Sequence, residues 1–270
     1  MSKEYLPQFY AMLEEHIGIS LDDTKQYLIE SRLLPLSQKA GYPDVYAFVK
    51  ALVQTPVSAM HWQAFKALTT NETSFFRDKH VFDGLKNHIL PMLIHSLRKE
   101  KTLRIWNSAV SAGQEAYSIA MLIREYFPEL YDWNILIQAT DISEVILDKA
   151  RQGIYSASEV KRGLDERFLQ KYFHQQGDGF QINPSIRSMV NFLPHNLVAP
   201  WPFYPKFDLI MLRNVLIYFN QATKDQVLEK MHKQLNGAHS VLVLGASESI
   251  YLNEQYKTIP LEKISYYQAR

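Results

Sequence analysis

The chain of 270 residues is 47% hydrophobic and 21% charged, with a net charge of +1, which is the balance of a folded globular protein and excludes disordered, fibrous or polyanion-binding classes. It contains no cysteine, so disulfides, thiolate metal sites and cysteine nucleophiles are excluded. No apolar run approaches the ~18 residues that cross a bilayer and the first residues lack a signal-peptide core, so a cytoplasmic protein with no direct membrane insertion is expected.

From Tyr5 to about Leu68 the apolar residues recur at intervals of three and four, as in Phe9, Met12, Leu13 and Ile17, which predicts a small all-helical domain over residues 1–70. Ser20 followed by Asp22 and Asp23 suits a helix start, and that helix runs through Leu28 and Leu33. Pro35 disfavours helical geometry at Leu34, so a kink or stop is expected there. Gly41-Tyr42-Pro43 marks the next turn.

A connecting segment, residues 71–97, leads into a second texture over 98–270, in which short apolar runs alternate with amphipathic helices. That pattern predicts an open α/β domain of Rossmann-like type. Strands are expected at Leu103–Asn107, Ile135–Thr140, Met189–Leu193, Phe207–Leu212, Val241–Leu244 and Lys263–Tyr267, with helices near Ala116–Tyr126, Glu144–Gln152 and Lys224–Leu235. Between Phe173 and Asn191, Gly177-Asp178-Gly179 followed by alternating Phe180 and Ile182 predicts an inserted antiparallel β-subdomain at about 172–192. No internal repeat is present. His88 with His95, and His174 with His195, form no metal-ligating spacing, so no metal is expected.

Ligands of open α/β sheets bind beyond the carboxyl ends of the strands. The first strand ends in Ser108-Ala109-Val110-Ser111-Ala112-Gly113-Gln114-Glu115, small residues that let backbone approach a ligand, and the second ends at Asp141. An acid at that place can accept both ribose hydroxyls of a nucleoside, whether in a dinucleotide or in S-adenosylmethionine. Gly113 is the only glycine of the first loop, where a pyrophosphate cradle wants three. Glu115 would repel pyrophosphate but can accept from an amino acid's ammonium and lie near a sulfonium. The same residues would also serve as a tight turn with two helix caps.

Wider patterns narrow the reading. Leu68-Thr69-Thr70-Asn71-Glu72-Thr73-Ser74-Phe75-Phe76-Arg77-Asp78 resembles the T-T-N-x-T-x-F-F-R signature of the chemotaxis receptor methyltransferases, commonly called the CheR family. Gly113 to Ala120 is similar to that family's G-E-E-P-Y-S-I-A, Ala150 to Tyr155 to its A-R-x-G-x-Y, Arg213 to Phe219 to its R-N-V-x-I-Y-F, and Gly245 to Glu248 to its G-H-S-E. The sequence departs from these patterns at Gln114, Ala116 and Ala246, beside the inferred contacts.

The resemblance implies a helical N-terminal domain before a methyltransferase α/β domain with a small antiparallel β-subdomain. It implies S-adenosylmethionine as cofactor, S-adenosylhomocysteine as product, and glutamate side chains of methyl-accepting chemotaxis receptors as acceptors. Carried over by position, Asn71, Thr73, Arg77, Gly113, Glu115, Asp141, Asn196, Leu197, Arg213 and Asn214 are expected to border the cofactor. Arg77 and Tyr218 are expected to orient the reactants. Lys25 and Arg32, seven apart on the second helix, are expected to meet the acidic receptor helices. The Gly177-Asp178-Gly179 loop is shorter than in relatives that dock on a receptor's C-terminal peptide tether, so action without a tether is expected. No nucleic-acid partner is expected, and the chain should be a monomer. A catalytically silent cofactor-binding sensor, or a methyltransferase for another substrate, would share these cofactor residues, and turnover on receptor separates them.

Overall fold

The computed structural model describes residues 3–202, 204–250 and 253–270, in two compact units. The first unit holds the stretch up to Thr70 together with Asn196–Trp201 and Tyr218–Val227. Its helices are α1 (Leu6–Ile17), α2 (Gln26–Lys39), α3 (Val45–Val53) and α4 (Ala59–Ala67). Helix α1 buries Leu6, Phe9, Tyr10, Leu13 and Ile17, the stripe that its periodicity predicts. It stops at Gly18, whose φ of 77° ends the helix and whose missing side chain leaves room for Val198 and the Phe219 ring. Phe65 of α4 lies at the centre, 6.1 Å from the Phe9 ring and stacked 5.6 Å from His16.

Two local expectations are corrected here. The cap ahead of α2 is Asp22, which accepts from the Thr24 amide at 2.9 Å and opens a 3-10 turn over Asp23–Lys25, so α2 itself begins only at Gln26. Pro35 does not end α2, which continues to Lys39. Ile29, Leu33 and Ser37 are buried along one side while Pro35 is exposed, so the carbonyl that loses its amide partner faces water and packing overrides the local preference.

The second unit comprises Asn71–His195, Pro202–Ile217 and Leu228–Arg270. Helices α5 (Lys79–Gly84) and α6 (Leu90–Leu97) precede β1 (Thr102–Ser108), α7 (Gln114–Tyr126), β2 (Asn134–Asp141) and α8 (Glu144–Gln152). Then come β3 (Ile154–Ser156), α9 (Ala157–Lys161), α10 (Glu166–Tyr172), β4 (Phe173–Gln176), β5 (Gly179–Ile182), α11 (Pro184–Arg187) and β6 (Val190–Pro194). The chain closes with β7 (Leu209–Leu212), α12 (Gln221–Gln234, which starts among first-unit residues), β8 (Val241–Leu244), β9 (Tyr256–Leu261) and β10 (Ile264–Ala269).

Seven strands form one sheet in the order β6-β2-β1-β7-β8-β10-β9, parallel from β6 to β8 and antiparallel at β10 and β9. Every residue of β7 and β8 is buried, as expected of parallel strands covered on both faces. Helix α7 is buried from Gln114 through Ile123. From β1 the chain moves outward to β2 and β6, then returns to β7 on the other side, so the sheet reverses direction at β1. Such a reversal opens a crevice above the carboxyl ends of the central strands.

The hairpin expected from Gly177-Asp178-Gly179 is present as β4 and β5, and β3 adds a third antiparallel strand from well before the expected insertion. The last expected strand starts one residue later, at Ile264, and pairs with β9, which its sequence pattern did not reveal. Among the described residues, no helix is long and apolar enough to cross a membrane.

Candidate active site

The carboxyl ends of β1, β2 and β7 gather a network of charged and polar groups in the second unit. Beyond β1 the backbone turns sharply, with φ of 54° at Ala109, 53° at Ser111 and 90° at Gly113. Left-handed conformations at two residues with side chains cost on the order of 1–3 kcal/mol each and persist where surroundings enforce them. The enforcing contacts are specific. The Val110 amide donates to the Thr140 carbonyl at 2.9 Å, Ser111 N–H to Asp141 Oδ2 at 2.8 Å, and the Tyr155 hydroxyl to the Ala112 carbonyl at 2.6 Å. The Ser111 hydroxyl donates to the Asn71 carbonyl at 3.0 Å, which joins the connecting segment to the loop.

Asp141, at the end of β2, is 8% exposed and accepts a second amide, that of Ser143, at 3.0 Å through Oδ1. Burial pushes its carboxyl up from the ordinary value, opposed by the amide bonds from Ser143, Ser111 and Ile142.

Glu115, in the first turn of α7, accepts from Asn107 Nδ2 at 2.7 Å and is paired with Arg213, the residue after β7. The Arg213 side chain is 1% exposed and reaches further, to Asp78 Oδ2 at 2.6 Å and to the Arg77 carbonyl at 3.1 Å. One guanidinium thus ties α7, β7 and the segment before α5 together, with two carboxylates around one cation. Asp78 itself sits at φ 60° and Phe76 at φ 46°, and the Phe76 amide is held by the Ser118 hydroxyl at 2.9 Å. The Arg77 side chain is half-buried and donates to the Glu72 carbonyl at 2.9 Å. Thr73 is half-buried in the same segment.

Of the residues singled out from sequence, the second unit brings Asn71, Arg77, Gly113, Glu115, Asp141, Arg213 and Asn214 to one end of the sheet. Asn196, Leu197, Tyr218, Lys25 and Arg32 belong to the first unit. There Asn196 Nδ2 donates to the His16 carbonyl at 2.8 Å, Leu197 is buried, and the Tyr218 carbonyl accepts from Ser20 N–H at 2.9 Å. Lys25 is exposed in the 3-10 turn ahead of α2 and not on the helix. Arg32 lies on α2, but its guanidinium donates to the carbonyls of Leu68 and Thr69 at 2.7 and 3.0 Å.

Sequence reasoning gave no site role to Asn107, Asp78 or Tyr155. The A-R-x-G-x-Y pattern had flagged Tyr155, whose hydroxyl sits under the first loop with burial raising its pKa well above the usual tyrosine range. Among the described residues, no group of three or more His, Asp or Glu is placed to hold a metal ion.

His195, next after β6, is buried against the Trp106 and Tyr204 rings, with Tyr204 Oη 3.0 Å from Nδ1. Burial, aided by the Lys230 charge, pushes the imidazole down to about 4. The unfolded ring titrates near 6.5, so stability due to the neutral ring is complete above that pH and is lost as pH falls through 4. The loss is on the order of 3 kcal/mol. Thermal unfolding between pH 6.5 and 4 should therefore fall more steeply for the wild type than for His195→Phe, and parallel curves would refute the assignment.

The all-alpha domain model of the CheR methyltransferases matches residues 5–69, and their SAM binding domain model matches residues 71–265. The chain is 37% identical over 268 residues, 97% of each protein, to Chemotaxis protein methyltransferase Cher2 of Pseudomonas putida. It is 39% identical over 254 residues, 93% of this chain and 90% of the relative, to Chemotaxis protein methyltransferase 1 of Vibrio cholerae. The enzyme of the same name from Pseudomonas aeruginosa is 37% identical over 267 residues, covering 97% of this chain and 96% of its own. The two domain models in order and these near full-length relatives make the chain a member of the CheR methyltransferase family, the S-adenosylmethionine-dependent methyltransferases of chemotaxis.

Proposed function

We propose that the chain transfers a methyl group from S-adenosylmethionine to glutamate carboxylates on the cytoplasmic helices of chemoreceptors, leaving glutamyl methyl esters and S-adenosylhomocysteine. The observation that carries this reading is the set of acids at the ends of β1 and β2, held by backbone amides and by one buried arginine. When bound, the cofactor supplies a methyl group activated by its sulfonium.

The residues fit such a group. Glu115, Asp78 and Arg213 together leave one negative charge, which suits a ligand with a sulfonium and an ammonium. Asn107 Oδ1, Ser108 Oγ and Arg213 Nε are buried without a partner among the described residues, so polar demand at this end of the sheet exceeds what the protein supplies. Each oxygen of Glu115 has one protein bond and the two of Asp141 together face three amides, so both carboxylates keep acceptor capacity for a ligand. We assign Glu115 to the ammonium, Asp141 to the ribose hydroxyls, and Asn71, Thr73, Arg77 and Gly113 to the methionine end. Asn196 and Leu197, which follow β6 in the chain, are assigned to the adenine, Arg213 and Asn214 to the flank, and Tyr218 to the methyl group.

The acceptor needs no general base, since a glutamate with an ordinary pKa of about 4.3 is over ~99% ionised at neutral pH. The protein's work is alignment, which supplies ~7 to 11 kcal/mol in intramolecular analogues, and exclusion of water while opposite charges neutralise. Arg77 and Tyr218 orient the reactants and move no proton.

For the receptor, exposed Lys25 is assigned to an acidic helix face, whereas Arg32 is engaged with carbonyls of its own unit. The β4–β5 connection is only Gly177-Asp178, which supports action without a peptide tether. The test is incubation with methyl-labelled cofactor and receptor cytoplasmic fragments. Base-labile label on glutamate is expected, and Lys25→Glu should lower it several-fold with unchanged S-adenosylhomocysteine affinity. Base-resistant label, or none, would refute the proposal.

A further inference from the structure

Glu248 lies beyond β8, outside the residues assigned above, yet its carboxylate collects four backbone amides. Oε2 accepts from Asn214 at 2.7 Å and Gly245 at 2.8 Å, while Oε1 accepts from Val215 at 2.9 Å and Ile217 at 3.3 Å. No cation pairs with it among the described residues. The Glu248 amide donates in turn to the Gly245 carbonyl at 2.9 Å, closing a tight turn that aims the side chain back at β7. A Cβ on Gly245 would lie 2.5 Å from Glu248 Oε2 and 2.9 Å from both Asn214 N and Nδ2, so the glycine is required for this approach.

We propose that Glu248 is a positioning residue for methyl transfer. It fixes the segment Asn214–Ile217 that leads to Tyr218, and so sets the acceptor side of the site. Asn214 has φ 57°, a conformation held here by a charge-assisted bond to its own amide. The carboxylate satisfies the amides that open the 3-10 turn Leu216–Tyr218, and it fastens the ends of the neighbouring strands β7 and β8 to each other. Arg213, one residue earlier, is anchored independently by Glu115 and Asp78. Loss of Glu248 therefore frees the chain after Arg213 while the cofactor acids keep their partners. The defect belongs mainly in kcat, with cofactor binding touched only through the flank contact assigned to Asn214.

Glu248→Gln keeps size and shape but turns an amide donor toward one of the two pairs of backbone donors. It should lower kcat about 10-fold, and Glu248→Ala up to about 100-fold, the scale of a reactant misplaced by about 1 Å. The dissociation constant for S-adenosylhomocysteine should stay within about threefold in both. Amide hydrogen exchange at Asn214, Val215 and Ile217 should accelerate in both variants, with exchange in β1 and β2 unchanged. The kinetic arm rests on the receptor reaction proposed above, so wild-type turnover is the control for that reading, and the exchange and binding arms stand without it. A wild-type-like kcat, cofactor affinity falling in step with kcat, or unaltered exchange in this segment would each overturn the proposal.

Discussion

Replacing Arg213 with leucine should lower the melting temperature by roughly 10 °C and abolish measurable S-adenosylhomocysteine binding. The guanidinium is 1% exposed and sits between Glu115 and Asp78, whose side chains are 12% and 29% exposed. Removing one member of a buried ionic cluster strands the others, at about 3–5 kcal/mol. In a chain of this size each kcal/mol moves the midpoint by roughly 2–4 °C. The lost bond to the Arg77 carbonyl adds to the effect, because it fixes the segment carrying Phe76 and Asp78 in left-handed conformations. Arg213→Lys should recover little of the binding, since a single ammonium cannot span Glu115, Asp78 and a carbonyl as a planar fork does. Adding Glu115→Gln to Arg213→Leu should return part of the melting temperature but none of the binding, because it removes the stranded charge and not the defect at the ligand. Scanning calorimetry and titration calorimetry check both arms. A leucine variant melting within about 2 °C of the wild type would show that the cluster does not hold the fold.

The parts of this architecture that sequence reveals are those whose physics is local. The run Val241–Leu244 and the helix Glu144–Gln152 have the bounds their patterns predict, because a strand buried on both faces is a plain apolar run and an amphipathic helix shows its period. Phe207 was expected in β7 but makes only an isolated bridge to Leu235. Strand β3 escaped notice because it has three residues and pairs with β5 more than twenty positions away. Strand β9 carries Pro260 and lies at the sheet edge, the place where proline is tolerated and where strand patterns are weakest.

The same division runs through the site. The placement of Glu115 and Asp141 is legible because one lies in the first turn of the helix after β1 and the other ends β2 in an open α/β pattern. Asp78 and Tyr155 act on groups far along the chain, and Tyr155 meets a main-chain carbonyl that no side-chain pattern encodes. Arg32 illustrates the converse: its spacing from Lys25 implied a shared solvent face, but its fork closes on carbonyls of Leu68 and Thr69. A basic residue's spacing says which way it points on an ideal helix, and competing acceptors nearby decide where its charge is used.

Asp141→Asn separates binding from stability. An asparagine there must turn its NH2 toward the amide of either Ser111 or Ser143, so one of two good acceptor bonds becomes a donor facing a donor. A bond to a charged acceptor contributes about 1.5–3 kcal/mol. With the proposed ribose contact also weakened, S-adenosylhomocysteine affinity should fall about 10- to 100-fold. The melting temperature should change little, because burial already penalises the carboxylate and the substitution removes that penalty while losing one acceptor. Raised above its unfolded value, this carboxyl adds stability that is present at low pH and lost as pH rises through the folded pKa. In the proposed ribose site binding has the opposite dependence, since only the ionised form offers acceptors alone to the backbone amides and to the hydroxyls. Wild-type affinity should therefore fall as pH is lowered below neutrality toward the raised pKa of this carboxyl, and that of the asparagine variant should stay flatter over the same range. Titration calorimetry across those pH values decides the matter: coincident profiles, or a variant binding as tightly as the wild type, would remove Asp141 from the ribose site.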